Sequence, residues 1–290
     1  MSWERWRIPI MLAPTLTVII VLFVGSLVYG FIQSLGWNPR IGATDISLDA
    51  YWNIIAGEEH SRTFWTGLAL TLWVSIASTV FSAIVAIGAA LLLRQTFIGK
   101  RISTFLFQFN LPIPHVVAAI GISFLLSQSG LLSRIGASLN LIEFPNDFPV
   151  VVRDSYGIGI IIAYMWKEVP FIGVIVLAVL QSLGESYEDA ARSLGANRWQ
   201  RFRFVILPLI MPGVLSASII VFAFTFGAYE VPALLGVRFP RMLPVTALRF
   251  FNNPDLNARA EGMAMSMIIA FIVLILVLLY MWLSRRTVRE

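Results

Sequence analysis

The chain has 290 residues, of which 58% are hydrophobic and only 13% charged, and its mean hydropathy is +0.82. A soluble domain carries roughly a quarter charged residues, so the apolar excess must lie in long runs that cross a bilayer. There is no cysteine, and the two histidines, His60 and His115, lie far apart; this excludes disulfides, thiolate chemistry and a histidine-based metal site, while the net charge of +5, scattered among apolar runs, argues against nucleic-acid binding.

Six apolar runs are read in chain order. The first covers 8–35, with Pro9 and Pro14 near its start, where proline is tolerated. It is too long for a signal-peptide core and is read as a retained helix. A polar segment at 36–63 contains Asp45, Asp49, Glu58 and Glu59. The second span, 64–93, is rich in Ala, Ser, Thr and Gly, a composition that suits helix–helix contact. A short basic loop from Arg94 to Arg101 precedes the third span at 102–127, which Pro112 and Pro114 should kink or break. Residues 128–155 read as loop. The fourth span, 156–183, contains Trp166, Lys167, Glu168 and Pro170.

The polar stretch 186–208 then interrupts the apolar pattern. Ser186 with Asp189 resembles a capping box. Tyr187, Ala190, Ala191 and Leu194 fall on one helical face, while Glu188 and Arg192 form an i,i+4 pair in the favourable order. Gly195 supplies the stop. The spacing predicts a helix of about two turns over 187–194, whose small central residues allow close approach of another surface. The bland alternative is an amphipathic loop helix packed on its own bundle. The fifth span covers 208–233, the sixth 260–283, and a basic tail at 284–290 closes the chain.

An even number of spans puts both termini on one side. The N-terminus, the 94–101 loop, the 184–207 loop and the C-terminus hold twelve basic residues against five acids, and the other three loops hold eight basic residues and about as many acids. The basic side is therefore expected to be cytoplasmic. Spans of this length exclude a β-barrel.

Nothing in the sequence resembles an enzyme site. Gly99-Lys100 is not a phosphate-binding loop, because Arg94 stands where the motif requires its first glycine. Any ATP must be handled by another chain. Charges within spans are functional candidates. Lys167 and Glu168 lie about twelve residues into the fourth span, ~18 Å at 1.5 Å per residue, near the midplane. They point about 100° apart and do not simply pair with each other. Each needs a partner, water or a substrate; a structural ion pair with another helix is the competing reading. Glu230 lies ~32 Å along the fifth span and is expected near the outer mouth. Trp166, Tyr229 and Glu230, with Lys167 and Glu168, are the candidate translocation-pathway residues, although aromatics in membrane proteins also serve as packing. His115, beside the broken third span, is read as structural.

The 186–208 stretch resembles the EAA loop of permease subunits of bacterial type I ABC importers, which have the MetI-like fold. That pattern has Glu-Ala-Ala, three residues, Gly, nine residues and Ile-x-Leu-Pro. Here it is Asp189-Ala190-Ala191, three residues, Gly195, nine residues and Val205-Ile206-Leu207-Pro208. Asp replaces Glu and Val replaces Ile. The resemblance extends more weakly to Trp166…Pro170-Phe171 and to Phe226–Pro232. It covers roughly 64–283, with the first helix as an extra element often seen in one of two paired permeases.

The resemblance implies an all-α integral membrane protein of six transmembrane helices with a short cytoplasmic coupling helix. Tyr187, Glu188, Asp189, Ala190, Ala191, Arg192, Leu194 and Gly195 would engage a separate ATPase. The implied organisation is a tail and first helix at 1–35, a periplasmic loop at 36–63, a five-helix core at 64–283 and a cytoplasmic tail at 284–290. The chain itself would bind no cofactor, with ATP and Mg held by two ATPase subunits. A second, different permease and a periplasmic or lipid-anchored binding protein would complete the assembly in the bacterial inner membrane. The segment from Tyr229 to Gly236 looks most like the spermidine/putrescine-type subgroup. Glu168 and Glu230 suit a cationic substrate; Lys167 argues the other way. An ion-coupled secondary carrier with a relay at Lys167 and Glu168 is the alternative from another class, and a structural membrane scaffold is a third.

Overall fold

The computed structural model describes residues 3–184 and 186–287; the side chains of residues 3–7, 40 and 283–287 also lie outside the description. The terminal arginines Arg5, Arg7, Arg285, Arg286 and Arg289 therefore count by sequence alone. The described chain is almost entirely helical, and six of its helical segments are long and apolar enough to cross a membrane: Ile8–Ser34, Ser61–Leu93, His115–Ser138, Ile158–Leu183, Arg198–Gly227 and Ala258–Trp282. This is the all-α, six-span, MetI-like architecture that the sequence implies.

The boundaries differ from expectation where proline and glycine act. The first span is α1 (Trp3–Val18), a π turn at Ile19–Val24 and α2 (Gly25–Ser34). Because the helix starts at Trp3, Pro9 and Pro14 lie inside it rather than at its start. The polar segment that follows contains a further helix, α3 (Asp49–Ile55), before α4 (Ser61–Leu93). At 33 residues α4 is about 50 Å long, more than a hydrocarbon core requires.

The third expected span is in fact two helices. α5 (Lys100–Gln108) is short, and α6 (His115–Leu126) begins after a break at 109–114. Pro112 and Pro114 have no N–H to donate, and Pro114 biases Ile113 away from helix. With α5 split off, the membrane-length segment runs on through α7 (Leu131–Ser138), into residues expected to be loop. α8 (Ile158–Leu183) starts at Gly157, φ +71, and keeps Pro170 inside it. After α9 (Ser186–Ser193) and α10 (Arg198–Arg201), a π turn at Phe202–Ile206 leads into α11 (Leu207–Gly227). Pro208 cannot donate to the carbonyl one turn back, and the widened turn lies immediately before it. α11 ends at Gly227, because Ala228 is extended (φ −75°, ψ 140°); Tyr229 and Glu230 thus lie beyond the fifth span, and Glu230 opens α12 (Glu230–Leu235). α13 (Leu243–Phe251) and α14 (Ala258–Thr287) complete the order.

The chain forms two compact units. The first comprises Met1–Trp65 and Thr246–Phe271, the second Thr66–Val245 and Ile272–Glu290. In the first, Glu261 accepts from the Asn53 amide (3.3 Å) and faces His60 Nδ1 (3.2 Å), and the His60 ring stands edge-on to Phe250. In the second, α8 packs against α11, α6, α12 and α5. One apolar cluster there joins Val74, Ala119, Ile160, Tyr164 and Val231; another joins Ala86, Ile172, Val176, Ile210 and Val221. Both clusters use α8, which is the most buried of the six spans. Among the described residues no group of three or more metal-ligating side chains converges.

Candidate functional site

Two places in the second unit gather the residues singled out by sequence: the 184–208 stretch and the middle of α8. The first begins where α8 stops at Gly184, φ +65, and α9 takes up at Ser186. An eight-residue helix is marginal in isolation, so its ends decide its stability. Glu185 lies outside the described residues; α9 includes Ser186 rather than being preceded by it. The other end is fully built. The Ala196 N–H donates to the Ala191 carbonyl and the Gly195 N–H to the Arg192 carbonyl, both at 3.0 Å, with Gly195 at φ +80. These are the two bonds of a Schellman stop. A Cβ on Gly195 would meet nothing within 4 Å, so the backbone angle alone demands glycine.

The apolar face of α9 is open. Tyr187 is 55% exposed and Leu194 88%; Asp189, Ala190 and Arg192 are also exposed, and Ala191 is half-buried. Glu188 departs from expectation. Its carboxylate pairs with Arg94, just past the end of α4, and not with Arg192 one turn along. Both side chains of the Arg94–Glu188 pair are only about one-fifth exposed. A pair shielded to that degree outcompetes an exposed i,i+4 contact worth a few tenths of a kcal/mol. Beyond Gly195, Asn197 and Gln200 cap α10 reciprocally: Gln200 N–H to Asn197 Oδ1 at 2.9 Å, Asn197 N–H to Gln200 Oε1 at 2.8 Å. The Asn-x-x-Gln spacing was legible in the sequence but missed. Trp199 and Phe204, like Leu194, remain largely exposed.

The second place is built around Pro170. A proline inside a helix leaves the carbonyl four residues earlier without its donor. That carbonyl belongs to Trp166, and the Asn110 Nδ2 amide donates to it from the break between α5 and α6. Lys167 answers the converse defect. Its ammonium donates to the carbonyls of Asn110 (2.7 Å), Leu111 (3.2 Å) and Ile113 (2.6 Å), which the 109–114 break leaves outside any helix ladder. Three ammonium protons meet three carbonyls. Next to it, Glu168 Oε1 lies 3.0 Å from His115 Nε2, at the first residue of α6. Lys167 and Glu168 are 5% and 6% exposed, so each charge depends on these partners. Of the competing reading, a structural ion pair with another helix, only the Glu168–His115 contact has the expected form; Lys167 is received by backbone carbonyls of the break instead. His115 also packs on Phe224 (ring centroids 4.5 Å).

The remaining expected residues are spread around this network. Trp166 is half-buried, with its ring edge-on to Phe109 at 6.3 Å. Tyr229 is 45% exposed and Glu230 intermediate, at the start of α12. Sequence reasoning missed Asn110 and Arg94 as partners, because each reaches across more than fifty residues.

Comparison with known proteins gives a consistent picture. Residues 54–289 match the family model described as binding-protein-dependent transport system inner membrane component. The sulfate transport system permease protein CysT of Salmonella typhimurium is 26% identical over 208 residues, 72% of this chain and 70% of the relative. The inner membrane ABC transporter permease protein YdcU of Escherichia coli is 32% identical over 175 residues, 57% of this chain and 56% of the relative. In fold, the chain superimposes with a TM-score of 0.80 on a subunit of a bacterial ABC transporter involved in the import of the acidic polysaccharide alginate, with 20% identity, covering 98% of this chain and 96% of that one.

Proposed function

Because the chain belongs to the family of binding-protein-dependent transport system inner membrane components, as a non-catalytic permease subunit of an ABC importer, we propose that α9 is the point where a separate ATPase takes hold of it. The observation that carries this reading is an eight-residue helix with a glycine-built stop and an open apolar face. Tyr187, Glu188, Asp189, Ala190, Ala191, Arg192, Leu194 and Gly195 form the contact. Exposed Leu194, just past the end of α9, is costly to leave in water and gains by burial in a socket. Two ATPase subunits bind and hydrolyse MgATP. A second, different permease completes the pathway, and a periplasmic or lipid-anchored binding protein delivers the solute. The basic loops support a topology with α9 and both termini in the cytoplasm of a bacterial cell.

Tyr229 and Glu230 line the pathway beyond the end of α11, with Trp166 deeper. The acidic Glu230 and the resemblance of the 229–236 segment support a small cationic solute such as a polyamine. Lys167 and Glu168, engaged by their own chain, frame this pathway.

The test is purification of the chain from its native membrane, followed by reconstitution. Recovery with an ATPase and a second permease, and putrescine uptake that requires ATP and a binding protein, is the expected result. Uptake of sulfate or a sugar instead would overturn the polyamine assignment alone. Recovery of the chain by itself, with uptake driven by an ion gradient and indifferent to ATP, would establish the secondary carrier.

A further inference from the structure

Lys167 is a buried charge near the centre of the fourth span. A lysine at the centre of a span is costly to place in hydrocarbon. The structure uses it in an unusual way: not against a carboxylate, but in a cage of the Asn110, Leu111 and Ile113 carbonyls. Three carbonyl oxygens around a single positive charge form a cation site, and Lys167 fills that site from a tether. We propose that Lys167 and Asn110 are positioning residues: the tethered ammonium holds the 109–114 break against α8, so that α5 follows α8 and α9 when α9 is displaced. This rests on the assignment of α9 to the ATPase.

The geometry supplies a brace at three levels. At one end, Arg94, six residues before α5, pairs with Glu188 of α9, and the Arg94 carbonyl accepts from Lys100 Nζ at 3.4 Å, at the first residue of α5. In the last turn of α5, α8 approaches it without intervening bulk: a Cβ on Gly173 would lie 2.5 Å from Cζ of Phe107. At the far end, the Trp166 carbonyl receives Asn110 and the Lys167 ammonium grips the break. α5 is only nine residues long and is held near both of its ends. The break is also where α6 begins, with His115 against Glu168. A displacement of α9 is thereby passed through the Arg94–Glu188 pair and α5 to the break and the start of α6.

The brace is open to a direct distance measurement, because the chain has no cysteine of its own. Spin labels at I102C on α5 and S182C on α8, both exposed positions, are measured in the assembled complex by double electron–electron resonance, without nucleotide and trapped with MgATP and vanadate. The expected separation stays constant between the two states, within the roughly 1–2 Å of an ordinary helix slide. In the K167M background, which keeps the bulk of the stem but removes the charge, the separation shifts or broadens on trapping. In K167A, methylammonium, which can occupy the carbonyl cage, restores the constant distance and the coupling of hydrolysis to the binding protein; sodium at the same concentration does not. A shift in the parent chain, or a constant distance in K167M, overturns the proposal. Should K167M and K167A fail to assemble, the parent measurement still decides it. A complex with no vanadate-sensitive hydrolysis would instead count against the ATPase assignment.

Discussion

Replacement of Gly195 by valine tests the C-terminal stop of α9. Gly195 sits at φ +80, and nothing lies within 4 Å of its missing Cβ. Steric exclusion by neighbours is therefore absent, and the whole effect comes from the backbone. An L-residue in this region costs about 1–2 kcal/mol, and a β-branched one falls at or above the top of that range. To escape, the turn must give up the Ala196-to-Ala191 and Gly195-to-Arg192 bonds, each worth about 1 kcal/mol net. Either route takes ~1–2 kcal/mol from an eight-residue helix with little intrinsic stability, which lowers the ratio of formed to frayed α9 about 5- to 30-fold. Hydrogen exchange on the assembled complex should show faster exchange at Leu194, Gly195 and Ala196 by that factor, with α8 unchanged. ATP hydrolysis in the same preparation should lose its response to the binding protein. Gly195→Asn, which tolerates a left-handed backbone, should lie close to the parent. If Gly195→Val left both exchange and coupling at parental values, the Schellman stop would have no bearing on the work of α9.

Two further outcomes follow from the partners found across the chain. Glu188→Arg or Arg94→Glu alone should lower recovery of the assembled complex, and the charge swap combining them should restore part of it; additive losses would show that the pair contributes no coupling energy. Asn110→Ala leaves the Trp166 carbonyl without a donor and should cost about 1–3 kcal/mol in thermal unfolding of the complex. The same change should cost much less in a Pro170→Ala background, because residue 170 then supplies the missing N–H; equal losses in the two backgrounds would break the link between Asn110 and the proline.

The sequence carried those features whose causes are local. Gly195 stops α9 where glycine was expected, because the stop depends on one backbone angle and a few neighbouring residues. The break near Pro112 and Pro114 was readable for the same reason, although its consequence, a separate α5 and a third span displaced towards Ser138, was not. The fifth span is expected to run to 233 because apolar residues continue past Gly227, but the extended Ala228 ends the helix there; hydropathy registers composition rather than direction. Least legible were the partners of charges. Glu188 had a plausible local mate in Arg192, yet Arg94 takes it in a more shielded setting. Lys167 is satisfied by backbone carbonyls, and every residue carries one, so no side-chain pattern announces them. Midplane depth flagged Lys167 and Glu168 as needing partners without naming them.

The reciprocal gaps of α8 and the 109–114 break bear on how the chain enters its membrane. On its own, α8 would carry into lipid an ammonium, a carboxylate and the Trp166 carbonyl deprived of its donor by Pro170. On its own, the break would bring the Leu111 and Ile113 carbonyls with no partner, and the Asn110 carbonyl with only the Ile113 N–H. Hydrocarbon offers neither piece a substitute for water. Each is a poor solute in the bilayer, and together they cancel one another's defects. Residues 100–183 are thus better released into lipid as a paired unit than helix by helix, and the order of biogenesis is written into a proline and a lysine that lie three residues apart.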